Sequence, residues 1–142
     1  MAYFNAEEQE KIKKAIYEAE SQTSGEIRVL IEKKCKIHPI ERAAFFFKKL
    51  KMQDTFHKNG VLIYLASEDK KYAIIGDSGI HNLTGNHFWE EIKHSMHGYF
   101  KSGQLLEGVL HAINETGNKL KSLFPYEPNK PNELPDDILD RG

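Results

Sequence analysis

The chain has 142 residues with 20 basic and 21 acidic side chains, enough for one domain with its own core and with no basic field to attract nucleic acid. Its single cysteine, Cys35, excludes an intramolecular disulfide and a thiolate zinc site, and fits a reducing compartment. The opening segment Met1 to Ile12 lacks the apolar run of a signal peptide, and no stretch approaches the length of a membrane helix, so a cytoplasmic protein without a membrane span is expected.

Asn5, with Glu8 three residues on, predicts a capped helix whose apolar positions are Ile12, Ala15, Ile16 and Ala19, ending at Ser24-Gly25. Glu26 to Lys34 alternates and is β-branched, a strand with Ile27, Val29 and Ile31 on one face. Pro39 suits the first turn of a second helix carrying Ala43, Ala44, Phe46, Phe47 and Leu50. Met52 to Asn59 reads as a polar loop. Gly60 to Ala66 is almost continuously apolar, as in a central strand covered on both faces. The polar turn Ser67 to Lys71 leads into Tyr72 to Gly76, so these two strands form an antiparallel hairpin. Two helical segments follow, 87–100 and 104–124, the second repeating Leu106, Val109, Leu110, Ile113, Gly117, Leu120 and Phe124. From Pro125 onward four prolines and several acids mark an irregular tail. The predicted architecture is an α/β fold, a three-layer αβα sandwich. Its small mixed sheet has three clear strands and a fourth, with helices on both faces. Residues 1–124 form the domain and 125–142 the tail.

The most distinctive stretch is Gly76-Asp77-Ser78-Gly79, where two glycines bracket an acid at a strand end. Glycine permits the sharp turn that would aim the Asp77 carboxylate at a cation or small polar ligand. The plainer reading is a turn in which Asp77 bonds its own backbone. Topology adds a second expectation. If the Glu26 and Gly60 strands run parallel, both start at one sheet edge, and the hairpin returns Asp77 to that edge. Glu26, the loop Asp54 to Asn59, and Asp77 then converge, and carboxylates with amide and hydroxyl oxygens suit Ca²⁺ or Mg²⁺. Against this, Glu26 could simply pair with a lysine and Asp54 be an ordinary loop acid. His87, His94 and His97 share a helix face that could grip a transition metal. Phe88, Trp89, Ile92, Met96 and Tyr99 claim the opposite face for the core, which turns the histidines to water. Cys35 has no base placed beside it, and Ser78 lacks the residues of a nucleophile elbow. The Gly-Asp loop is no phosphate-binding loop either, because it lacks the lysine.

Six pieces in order carry a family resemblance: residues 24–29 (SGEIRV), 52–66 (MQDTFHKNGVLIYLA), 72–80 (YAIIGDSGI), 88–92 (FWEEI), the helix containing GQLLEGVLHAI, and the tail with FPYEP and NELPDDI. Together they resemble the TPM domain family, in its short, stand-alone bacterial form, over roughly residues 5–138. The resemblance implies an αβα sandwich with loops crossing at one sheet edge and a divalent metal there. Plant lumenal members are described as acid phosphatases, and others as accessory proteins of membrane complexes. Carried over, Asp77 matches the acid of the strand-end loop, Glu26 the acid opening the first strand, and Thr55 and Asn59 the loop before the central strand, with Asp54 in that same loop. The chain departs from lumenal members in having GDSG where they have a G-x-G pattern, and the signal peptide and following membrane helix of many members are not read in it. The expected function is a module that binds divalent cations and responds to metal or to a protein partner, with a metal-dependent acid phosphatase as the alternative. The family's NELP tail implies that Asn132-Glu133-Leu134-Pro135 docks, with Leu134 and Ile138 as anchors.

Overall fold

Strands that read as apolar on every residue must be covered on both faces, and this requirement organises the fold. The computed structural model describes residues 3–85, 87–128, 133–135 and 138–141. Among them five helices and four strands follow in order: α1 Ala6–Glu20, β1 Glu26–Glu32, α2 Pro39–Lys49, β2 Gly60–Ala66, β3 Lys71–Gly76, α3 Ser78–Thr84, α4 Glu90–Lys101, α5 Leu105–Leu123 and β4 Ile138–Asp140. A single 3₁₀ turn occupies Met52–Asp54. The sheet order is β3-β2-β1-β4, with β1 parallel to both β2 and β4, and β2 antiparallel to β3. The fold is the mixed-sheet α/β sandwich that the periodicity predicts.

Each face of the sheet has its own core. Ile27, Val29, Ile31, Val61, Ile63 and Leu65 pack with Ile12 and Ile16 of α1, Ile92 and Met96 of α4, and Val109 and Ile113 of α5. On the other face Leu30, Leu62 and Tyr64 meet Ala43 and Phe46 of α2, Met52, and Leu134 of the tail. Burying each large apolar side chain contributes roughly 1.5–3 kcal/mol, so the two central strands hold most of the fold's cohesion. The N-terminal capping box is present: the Glu8 amide donates to the Asn5 side chain (2.8 Å) and the Asn5 amide to the Glu8 carboxylate (3.0 Å).

Local boundaries differ from the sequence reading for identifiable reasons. Helix α1 stops at Glu20, short of Ser24-Gly25, because the chain there turns to meet the end of α5. The Ser24 amide donates to the Phe124 carbonyl at 2.9 Å, and Thr23 bridges Pro125. The Gly-Asp loop leads at once into α3, a seven-residue helix with one buried apolar side chain, Ile80, too little for a periodic signal. The fourth strand comes from the Pro-rich tail, where three residues are too few to alternate. Val29 stands opposite Ile138 in that pairing. Leu134 and Ile138 are buried, and the Asp140 carboxylate accepts from the Tyr3 and Phe4 amides at 2.8 and 2.7 Å. Asn132, the first residue of the NELP segment, lies outside the described residues.

The buried end of β1 carries a polar network. Arg42 donates to the Glu32 carboxylate from Nε (2.8 Å) and Nη2 (3.0 Å), and the Tyr64 hydroxyl donates to it at 2.5 Å. Burial pushes the Glu32 carboxyl up. The hydrogen bonds from Arg42 and Tyr64, with the charges of Arg42 and Arg141, outweigh that and hold it below the usual carboxylate range. A depressed carboxyl stabilises the fold above the unfolded value of about 4.3, and that contribution disappears as pH falls through the folded value. Urea titrations in the acid range should therefore show a shallower loss of stability for Glu32→Gln than for the wild type; parallel losses would assign the acid sensitivity elsewhere. Ile138→Ala, which empties the β4 contact, should cost about 2–5 kcal/mol by the same measurement.

Candidate metal centre

Register brings three chain segments to one edge. Glu26 stands opposite Gly60 at the start of β1 and β2, and Gly76 at the end of β3 stands opposite Val61. Backbone bonds then stitch the loops beyond the strands. The Glu26 amide donates to Asn59 O (3.4 Å), the Asp77 amide to Gly60 O (3.0 Å), and the Gly79 amide to Lys58 O (2.8 Å). Gly79 is needed here: a Cβ would lie 2.3 Å from His57 O and 2.5 Å from Lys58 O. The loop is also held in costly backbone conformations, with Lys51 at φ 56° and Lys58 at φ 52°, both left-handed. The Lys58 ammonium folds back onto the Gln53 carbonyl.

The side chains at this edge divide into satisfied and unsatisfied oxygens. Asp77 spends Oδ1 on capping α3, accepting from the Ser78 amide at 2.7 Å, so the plain turn reading describes one of its oxygens. Its Oδ2 is buried without a hydrogen-bond partner among the described residues. The same is true of Thr55 Oγ1, Asn59 Oδ1 and Gln53 Oε1. Thr55 and Asn59 are 2% and 0% exposed, and the Asn59 amide nitrogen donates to Ser24 Oγ at 3.4 Å, which orients its oxygen. An unsatisfied buried acceptor costs about 1–3 kcal/mol, so four on two stitched loops are costly unless something that donates or carries positive charge meets them. Oxygens of these types are the donors that Ca²⁺ and Mg²⁺ take, and the residues present fit such an ion.

The remaining expected residues sit differently. Glu26 is buried, and its Oε1 accepts from the Leu134 amide, which ties the edge to the tail. Asp54 ends the 3₁₀ turn and is exposed. Among the described residues no three His, Cys, Asp or Glu side chains gather into one group, so neutral oxygens make up most of the convergent set. Gln53 was missed by the sequence reading; its only signal is an amide in the same loop, and no spacing rule selects it. The tail clamps the loop from outside: Glu133 accepts from the Phe56 amide (3.0 Å), and Glu127 pairs with His57 Nε2 (2.9 Å). His87, His94 and His97 are exposed, and Cys35 is buried beyond the opposite end of β1, donating to Ile37 O at 3.1 Å.

The chain matches the TPM domain family over residues 1–119. The NMR structure of BA42 protein from the psychrophilic bacterium Bizionia argentinensis is similar at a TM-score of 0.89 and 40% identity, covering 96% of this chain and 94% of that one. The N-terminal domain of cg2496 protein from Corynebacterium glutamicum is similar at a TM-score of 0.66 and 12% identity, covering 97% of this chain and 81% of that one, a likeness of fold alone. No curated protein matches. The close seating of Gly79 makes a direct prediction: Gly79→Ala should separate α3 from the 52–59 loop and cost about 1–3 kcal/mol, read by thermal or urea unfolding. An unchanged midpoint would mean that the two loops are not rigidly coupled.

Proposed function

The chain belongs to the TPM domain family, and we propose that it is a divalent-cation-binding module whose ion, Ca²⁺ or Mg²⁺, ties the 52–59 loop to the start of α3. One observation carries the reading: Gln53, Thr55, Asn59 and Asp77 each bury an oxygen without a partner among the described residues, on loops that backbone bonds hold together. Asp77, Thr55, Asn59 and Gln53 would hold the ion, with Asp54 and Glu26 as the further acids of the edge. When bound, the ion supplies the positive charge that these oxygens lack. The chain's own residues supply the rigidity, through the Gly79 contact and the register of β1 on β2.

The tail supplies a response. Glu26, Phe56 and His57 each hold a tail residue, so a cation that orders this edge also changes how firmly Glu127, Glu133 and Leu134 are held. That coupling suits a metal-responsive or interaction module better than a phosphatase. Hydrolysis would need, beyond coordination, a group to protonate the leaving oxygen, and His57 of this loop is committed to Glu127. The single buried thiol of Cys35 suits a cytoplasmic setting.

The test is thermal unfolding of wild type and Asp77→Ala, each stripped with EDTA and then supplied with Ca²⁺ or Mg²⁺. At a hundredfold excess over the dissociation constant a bound ion stabilises by about 2.7 kcal/mol. The wild type should gain stability with cation, and the variant should not, although loss of the α3 cap lowers its starting point. An equal gain in both proteins would remove Asp77 from the site.

A further inference from the structure

We propose that Ser24 is a positioning residue of the cation edge, its hydroxyl setting the Asn59 amide with the oxygen toward the ion. The inference rests on the cation reading above. Asn59 is fully buried, so its amide does not turn freely in water. The two ends of that amide are close in size and opposite in chemistry, because the oxygen accepts and the nitrogen donates. An oxygen facing the edge can coordinate Ca²⁺ or Mg²⁺, whereas an N–H group there would oppose either ion. In the structure Nδ2 donates to Ser24 Oγ at 3.4 Å. Oδ1 is thereby turned away from Ser24, buried and without a partner among the described residues.

Ser24 can act in this way because it is itself held. It is 5% exposed, and its amide donates to the Phe124 carbonyl at 2.9 Å. The neighbouring Thr23 hydroxyl donates to the same carbonyl. That hydroxyl also accepts from the Gly25 amide at 3.1 Å, which closes the turn. Gly25 is pressed between α5 and the 52–59 loop: a Cβ would lie 2.8 Å from Leu120 Cδ1 and 3.5 Å from Asn59 O. One residue on, the Glu26 amide donates to that same Asn59 carbonyl at 3.4 Å. The end of α5 thus holds the turn at residues 23–25, and the turn with the start of β1 holds Asn59 by both side chain and backbone. Ser24 Oγ is engaged by the Asn59 amide, so Ser24 acts through Asn59 rather than as a ligand. An aspartate at position 59 would need no such help, since both ends of a carboxylate accept. It is the amide that makes Ser24 matter.

The experiment has one arm without cation and one with it. In EDTA, ¹⁵N-labelled wild type should show nuclear Overhauser effects between the Asn59 side-chain amide protons and the Ser24 methylene; their absence would overturn the proposal. In Ca²⁺ and Mg²⁺ titrations followed by calorimetry, Ser24→Ala should bind about three- to tenfold more weakly than wild type, the worth of one hydrogen bond. The same change made together with Asn59→Asp should not weaken binding further, because a carboxylate presents an oxygen in either orientation. Equal affinity of wild type and Ser24→Ala, or an equal loss in both backgrounds, would overturn the proposal and make Ser24 a purely structural residue. A wild type that keeps the Asn59–Ser24 contact in EDTA but ignores both ions would uphold the orientation of Asn59 and overturn the cation reading alone.

Discussion

The parallel pairing of β1 with β2, in the register that sets Glu26 against Gly60, constrains the rest of the structure. A parallel pair needs a crossover, and α2 supplies it, covering one face of the sheet while α1, α4 and α5 cover the other. The antiparallel return of β3 then ends at the edge where β1 and β2 begin. A slip of one residue would turn Ile27, Val29 and Ile31 to the opposite face and move Asp77 away from Gly60. Core and candidate site therefore depend on the same set of backbone bonds.

What gathers at that edge is costly for a fold alone. Four buried oxygens go without a partner among the described residues, and two lysines keep left-handed backbone. Costs of this kind persist when the surrounding structure over-determines them, and here the strand register, the Gly79 contact and the docked tail all do so. A cation at the edge would satisfy the oxygens.

Much of this was legible in the sequence because strong local patterns carried it. The apolar run Gly60 to Ala66, the alternation after Glu26, the hairpin-length turn and the helical spacing in α5 each specify an element by themselves. The convergence of Glu26, Asn59 and Asp77 then followed from connectivity. What stayed hidden depends on long-range contact or on very short segments. Helix α3 has seven residues and β4 three, below the length at which periodicity shows. The Leu134 amide that Glu26 accepts from is 108 residues away, so this anchoring contact has no local signal. The burial of the Gln53 oxygen depends on the 3₁₀ turn, and the exposure of Phe56 on what the loop packs against; neither is a property of residue type.

The measurement that bears most directly on the central claim is a calcium and magnesium titration of ¹⁵N-labelled, EDTA-stripped protein, followed amide by amide. A cation bound at this edge should give saturable shifts concentrated at Glu26, residues 52–59 and 76–81, with smaller ones at the docked tail around Leu134. Shifts that are uniformly small, or that saturate at another part of the surface, would contradict it.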